Sequence, residues 1–530
     1  GGTVYADSLE LAQWFAERNR PPQSNLAGRL HTDSAPRTRR RWALAAAVVG
    51  LCLFAAAIAA WRIPRNSTAS PPRSLAVLPF VHESGDAGSE YLAEGLPESI
   101  TRDLSRLSAM QVKVVAHSVT RRANGRAHDA LEAGRLLGVE AVLTGRVTQH
   151  GNNLSVSVEL IHVRDSTQLW GERFDRKLSA AAALQEEIAR EIAARLRIRL
   201  SEAQQAGLRR ASTVNPEAHR HYLRGRYHWN RRTEGGLQLA IDYFQQAIAA
   251  DPAYALAHSG LAESYAVLSY YTAVPPSECA PKAIAAARRA LELDETLSEA
   301  WNALAQVEAD HYWQWERAEE HFRRAISLNE NNADAHHWYS EFLAALHRFD
   351  DQQRELERAA LLDPLSPIIA NNQGHVFYFS RRLDLAAAKY QRAIIDNPNF
   401  PNPHRDLGRV LLATGSPAEA IPPLLRAQQL GGAHTDAGLL VIAHARAGHR
   451  AQALALRDAL VVRAKREYLT PYTLALASVG LGEHTRALDY LEQAAAERSM
   501  PMKWIGVEPL FDPIRDQPRF QALLRQMRLP

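Results

Sequence analysis

A small residue, a bulky residue, a second small residue and a stop recur at a fixed spacing through the second half of this sequence. In "DLAAAKYQRAIIDNPNF" (384–400) the set is Ala386, Tyr390, Ala393 and Pro398. Gln352, Leu356, Ala359 and Pro364 occupy the same places 34 residues earlier, and Ala420, Leu424, Ala427 and Gly432 occupy them 34 residues later. Ala318, Phe322 and Ala325, then Ala283, Ala287 and Ala290, carry the series back to Ala240, Phe244, Ala247 and Pro252. Self-similarity at a fixed period of this length predicts a solenoid.

Each unit reads as a helical hairpin. Its first helix presents a small residue, such as Gly408 beside Leu407, where the partner helix can approach; its second carries the Ala, bulky, Ala stripe. A proline beyond the second helix cannot continue it, so the chain turns into the next unit. One hairpin cannot bury its own apolar face, and stacking on neighbours does so. About eight units fit into residues 217–497. Glu295 and Glu330 stand where proline is usual, "YTAVPPSECAP" enlarges the second unit, and Pro422 with Pro423 is read as interrupting the second helix of the sixth. Residues 498–530 read as a C-terminal capping segment, with the helix in "EPLFDPIRDQPRFQALLRQM" (508–527) sealing the open end.

A chain of 530 residues is too long for one core, and 46% hydrophobic with 23% charged residues is the composition of a folded, multidomain protein. The net charge of +4 is spread thinly except at Arg37, Arg39, Arg40 and Arg41, so no basic stripe with interleaved aromatics marks a nucleic-acid surface. Cys52 and Cys279 are too few and too far apart for a disulfide framework or a CxxC metal site.

"WALAAAVVGLCLFAAAIAAW" (42–61) carries no charge and has a tryptophan at each end, which predicts one transmembrane helix. "RTRRRW" upstream, against Arg62 and Arg65 downstream, predicts a cytoplasmic N-terminus and an exported remainder. Residues 1–41 are then a cytoplasmic segment, the remnant of an upstream domain, and 62–73 a Pro/Ser linker off the membrane.

Residues 74–200 alternate short apolar runs with helical stripes in the order β-α-β-α-β-β-β-α, an α/β layer domain. "SLAVLPF" opens it, Leu92, Leu96, Ile100, Leu104 and Leu107 mark the first helix, and Leu154, Val156, Val158 and Leu160 alternate along a half-buried strand. No phosphate-cradling glycine loop forms from Gly85, Gly88 and Gly95, and Glu98, Asp103, Glu172 and Asp175 read as solvated faces rather than catalytic pairs. "LAVLPF", "YLAEGLPESITRDLSRL", "GVEAVLTG" and "LWGERFDR" resemble the TolB-amino-terminal-like (FlgO-like) domain of bacterial signalling proteins. That resemblance implies no catalysis and no cofactor.

The repeats, led by "HYLRGRYHWNRRTEGGLQLAIDYFQQAIAADPAY" (221–254), resemble tetratricopeptide repeats (TPR). The combined fold class is multidomain: one transmembrane helix, an α/β TolB-N-like domain and an all-α TPR solenoid. The resemblance implies a concave groove for protein or peptide partners, lined by His337 and Glu341, then Asn371, His375 and Tyr378, then Arg405 and Arg409. His336 with His337, and His311 with His321, do not have metal-site spacing, and no metal is expected.

Two short matches bear on what precedes the chain. "YADSLELA" is similar to the last helix of bacterial Ser/Thr kinase domains, and "GGTVYADSL" resembles part of CadC-like winged-helix regulators. The leading expectation is a bacterial inner-membrane, single-pass scaffold that binds protein partners through the groove and the bilayer through 42–61, with a second copy of the chain as a further candidate partner. The alternative is the sensory extracytoplasmic half of a transmembrane kinase or CadC-like regulator whose output domain lies upstream of residue 1.

Overall fold

The computed structural model describes residues 71–530 apart from 84–88, 108–111, 116, 118–119, 121–127, 199–212, 231–232 and 432–434. The α/β region begins with β1 (Ser74–Val77) and the short β2 (Val81–His82), followed by α1 (Glu90–Leu107), β3 (Lys113–Val115) and α2 (Ala130–Leu137). Then come β4 (Ala141–His150), β5 (Asn153–His162), β6 (Gln168–Lys177) and α3 (Ala181–Arg195). The sheet order is β3-β1-β4-β5-β6, with β2 also paired to β4. β1 is parallel to β3 and β4, while β4, β5 and β6 form an antiparallel meander. Alternation along β1 decides the layers. Leu75 and Val77 join the core shared with α1 and α3, and Ala76 packs in a second cluster with Ala133 and Leu137 of α2.

Among the described residues sixteen helices then pair as eight hairpins: α4 (Pro216–Trp229) with α5 (Glu234–Ala250), α6 (Ala255–Tyr271) with α7 (Pro276–Leu293), α8 (Ser298–Val307) with α9 (Trp315–Leu328), and α10 (Ala333–Ala345) with α11 (Phe349–Leu362). The series continues as α12 (Pro367–Phe379) with α13 (Leu383–Asp396), α14 (Pro401–Ala413) with α15 (Pro417–Gln429), α16 (Thr435–Arg446) with α17 (Arg450–Ala464), and α18 (Pro471–Gly480) with α19 (His484–Ala496). Proline opens α4, α7, α12, α14, α15 and α18, where its missing N–H costs nothing and its fixed φ suits the first turn. The first helices of successive hairpins touch one another from α4 to α18, forming one continuous inner layer, and the second helices form the outer layer.

The repeating grid is this solenoid's core. Ala386, Tyr390, Ala393, Ala420, Leu424 and Ala427 are buried, as are Ala240, Phe244 and Ala247. A Cβ on Gly374 would lie 2.3 Å from Tyr390, and one on Gly408 would lie 2.5 Å from Leu424, which is why the first helix is small at that position. α15 runs unbroken through Pro422 and Pro423, contrary to the expected interruption. Full burial of Ala420, Leu424 and Ala427 holds the helix together despite the amide donors that the prolines lack.

The expected transmembrane helix is corrected. Among the described residues no helix is long and apolar enough to cross a membrane, and residues 42–61 lie outside them. The longest described helices, α1 and α7, carry Glu98, Arg102, Asp103 and Arg106, and Lys282, Arg288, Arg289 and Glu292, charges that a hydrocarbon interior disfavours. The inner-membrane, single-pass placement with exported C-terminal domains is withdrawn with it.

Candidate protein-binding groove

All seven residues expected on the groove sit on first helices of hairpins 4 to 6, and six of them contact one another or one shared carboxylate. Asn372 Nδ2 donates to His337 Nε2 at 2.8 Å and to Glu341 Oε1 at 2.7 Å. Asp406 collects the rest: Asn371 Nδ2 donates to it at 2.9 Å, His375 Nε2 at 3.0 Å, Arg405 Nε at 2.9 Å and Arg409 Nη1 at 3.1 Å. Tyr378 stands apart from Asp406 and gives its hydroxyl to Glu508. His337, Asn371, His375 and Tyr378 are buried.

The chain's own C-terminal segment packs against this face, with Glu508 on Tyr378 and Trp504 beside His375. From Met500 a 3-10 turn (Met500–Trp504), a second (Pro509–Phe511), α20 (Asp512–Arg515) and α21 (Pro518–Met527) run along the inner layer. Lys503 Nζ donates to Asp310 Oδ1 at 2.6 Å and lies 3.7 Å from Glu341. Trp504 Nε1 donates to the Glu341 carbonyl at 3.4 Å, and its ring packs on Phe379. Glu508 takes bonds from both Tyr378 and Arg409. Arg381 clasps Asp512 through two 2.9 Å bonds. Near its end the segment returns to hairpin 3, where Trp315 Nε1 donates to the Met527 carbonyl at 2.7 Å. The residues read from the sequence as a cap on the last hairpin therefore cross the inner face from hairpin 8 to hairpin 3.

Electrostatics follow from this packing. Burial would raise the Glu341 carboxyl, but Lys503, His337 and His375 bring it below the ordinary value. Burial acts on Asp406 in the same sense, and Arg405, His375 and Arg409 hold it well below the carboxylate range. Asp436, in the first turn of α16, goes the other way. Burial and the nearby Asp406 outweigh Arg405 and Arg409, and its pKa rises to about 7.

Hairpins 1 and 2 use their inner face on α1. Arg226 on α4 donates to Glu98 at 2.6 Å and to Glu263 at 2.7 Å. Asn230 donates to Glu98 at 2.7 Å, Arg102 bonds Tyr222, and Arg106 reaches Asp294 at 3.1 Å. Glu98 and Asp103 are thus buried rather than solvated, while Glu172 and Asp175 are exposed. Their environments separate them. For Glu98 the pull of Arg226, His117 and Arg102 exceeds the effect of burial and lowers the pKa; for Asp103 burial dominates and raises it.

Sequence reasoning passed over Lys503, Glu508, Asp406 and Asp310. A local signal existed in "PMKWIGVEPLF", where a lone Lys503 and a lone Glu508 sit among residues suited to a core. Of the four histidines considered as metal ligands, His336 lies 2.6 Å from Glu355 and His321 2.7 Å from Glu308, while His311 lies 2.9 Å from the Arg498 carbonyl and His337 2.8 Å from Asn372.

Residues 71–191 match the family profile "HilA/YgeH-like transcriptional regulator, second domain". The protein named "Putative adenylate cyclase 3" from Rhizobium meliloti (strain 1021) is 32% identical over 206 residues, 38% of this chain and 35% of that protein. The chain thus spans about a third of the length of that relative. Among solved structures, YrrB, a TPR protein with an unusual peptide-binding site, shares 18% identity over 35% of this chain and 91% of its own, with a TM-score of 0.26. PilF of Pseudomonas aeruginosa shares 21% identity, covers 44% and 97%, and has a TM-score of 0.33. The Cut9-Hcn1 hetero-tetramer of APC/C shares 13% identity, covers 66% and 63%, and has a TM-score of 0.41. The helical-repeat assignment rests on the hairpin packing described above.

Proposed function

We propose that this chain is a non-catalytic protein-interaction scaffold in which the groove residues His337, Glu341, Asn371, His375, Tyr378, Arg405 and Arg409 hold the chain's own C-terminal segment in place. The observation that carries this reading is the pair of contacts from Lys503 to Asp310 and from Glu508 to Arg409 and Tyr378. Lys503 meets Asp310 and Glu508 meets Arg409 as opposite charges of the same chain, which rigidifies the assembly. Arg226 and its carboxylates do the same for the α/β domain. The domain's resemblance to TolB-amino-terminal-like modules and its match to a regulator's second domain favour a signalling setting.

A second reading extends the first. The relative is named as an adenylate cyclase and about two thirds of it lies outside the matched stretch, which favours the matched region serving a regulatory role beside a separate output domain. A kinase, a cyclase or a CadC-like winged helix would then supply the output. Reading the gene in frame upstream of Gly1 tests that: a catalytic or DNA-reading domain supports it, and a start codon within a few residues removes it. For the scaffold itself, the purified chain is used as bait in an extract of its source cells and assayed in parallel against a metabolite panel. Specific retention of protein is the expected result; tight binding of a small molecule with no protein retained would overturn the scaffold reading.

A further inference from the structure

β6 is the last strand of the sheet, and among the described elements it pairs with β5 alone. It is ten residues long, and its outer row of backbone N–H and C=O groups is a template for one more strand. Edges of this length are commonly blunted by charge, and β6 carries Glu172, Arg173, Asp175, Arg176 and Lys177. The order of those charges is informative. Two copies of a strand pairing antiparallel about a two-fold axis keep the same face up, so opposed residues share a face and one residue sits opposite itself.

Each possible centre can be checked. Centring on Glu172, Arg173, Asp175, Arg176 or Lys177 sets that charge against its own copy, and centring on Gln168, Leu169, Trp170 or Gly171 opposes no opposite charges within the strand. Centring on Phe174 does something different. It sets Glu172 against the second copy's Arg176 on one face and Arg173 against the second copy's Asp175 on the other, with the reciprocal pairs generated by symmetry. It uses Gly171–Lys177, which lies in the regular part of the ladder; the irregularity in register falls at Leu160/Ile161, toward the other end of β6.

We propose that β6 is a self-association edge, and that a second copy of this chain pairs with it antiparallel about Phe174, joining two sheets into one. The four charged side chains involved are accessible: Arg173 and Asp175 are 68% and 67% exposed and Arg176 is 43% exposed, with Glu172 also exposed. Their present partners are weak competitors. Arg173 and Asp175 meet at 3.3 Å along one strand, and Arg176 lies 3.4 Å from Glu187, both in solvent where ion pairs contribute little; Asp175 also takes a hydrogen bond from Ser155, and Arg176 lies 5.8 Å over the Phe174 ring. Phe174 is buried against the helix-covered face, so the centre of the joint is rigid.

Sedimentation equilibrium of the purified 530-residue chain tests the proposal. The parent is expected to dimerise, and Arg176→Glu to weaken the dimer about tenfold by opposing like charges twice. The double variant Glu172→Arg, Arg176→Glu restores the opposition and is expected to recover dimerisation. Both variants lose the Glu187 contact equally, so recovery cannot come from that pair. If Arg176→Glu fails to fold, Arg173→Asp with Asp175→Arg makes the same exchange on the other face. A monomeric parent, a dimer indifferent to Arg176→Glu, or one that the exchange does not restore would each overturn the proposal.

Discussion

Lys503 Nζ lies 2.6 Å from Asp310 Oδ1, both side chains are 1% exposed, and 193 residues separate them in the chain. Asp310 also takes the Tyr270 hydroxyl at 2.7 Å and Gln306 Nε2 at 2.6 Å. The carboxylate at the inner end of hairpin 3 is therefore satisfied by hairpins 2 and 3 and by the C-terminal segment together.

Lys503→Met removes one charge and leaves the other buried. Stranding one partner of such a pair typically costs about 3–5 kcal/mol, so the midpoint of urea unfolding should fall accordingly. Adding Asp310→Asn removes the stranded charge and should recover much of the loss. Equal midpoints for Lys503→Met and the parent would mean that the ion pair does not hold the segment down.

Asp436 sets a dependence on pH. Its folded-state pKa of about 7 stands above the ordinary 3.8, so the native state binds this proton more tightly than the unfolded state does. Stability from this group is complete below about pH 4 and is lost as pH rises to about 7, by up to about 4 kcal/mol. Asp436→Asn should therefore unfold at higher urea than the parent at pH 8 and match it near pH 4. The groups facing it that modulate the effect are Arg405, Asp406 and Arg409. A constant difference between the two proteins across that range would contradict this assignment.

Gly374→Ala tests the grid. The added methyl would approach Tyr390, a ring with no exposed surface, and overpacking of this kind typically costs about 1–3 kcal/mol against a helix-propensity gain of about 1 kcal/mol. The net expectation is destabilisation, and Gly374→Ala with Tyr390→Leu should recover it. The same alanine at Gly235, where a Cβ meets nothing, should be neutral or stabilising. Thermal melts of the three variants decide between these outcomes.

Arg226→Ala addresses the joint between α1 and hairpins 1 and 2. It withdraws the guanidinium from Glu98 and Glu263, both buried, at a typical cost of about 3–5 kcal/mol. Amide hydrogen exchange should quicken in α1 and α4 together. Faster exchange in α4 alone would show that α1 is held by its sheet rather than by the solenoid.

The repeats were legible because periodicity is a local property: Ala386, Tyr390 and Ala393 announce their own burial wherever the unit is placed. The groove's occupant was not legible, since Glu508 meets Arg409 across 99 positions and Tyr378 across 130, and no window of sequence spans such a contact. Glu98 and Asp103 misled for a related reason. They share α1 with Arg102 and Arg106 in an arrangement that suits a solvated face, and the water is removed only by packing from elsewhere in the chain, with α4 giving Arg226 to Glu98 and α3 giving Gln185 to Asp103. Pro422 and Pro423 show the limit of local rules, because burial of Ala420, Leu424 and Ala427 outweighed two missing donors.

The segment that fills the inner layer is translated after every repeat it touches. Hairpins 3 to 8 precede Lys503 and Glu508 in the chain, so the partners of Asp310 and Arg409 are made only after every repeat, and the array closes on itself once that segment follows. A nonsense codon just ahead of Met500 would leave every repeat intact and still strip the counter-charges from the interior. In this architecture the quality check on the repeats is the stretch of residues made after them.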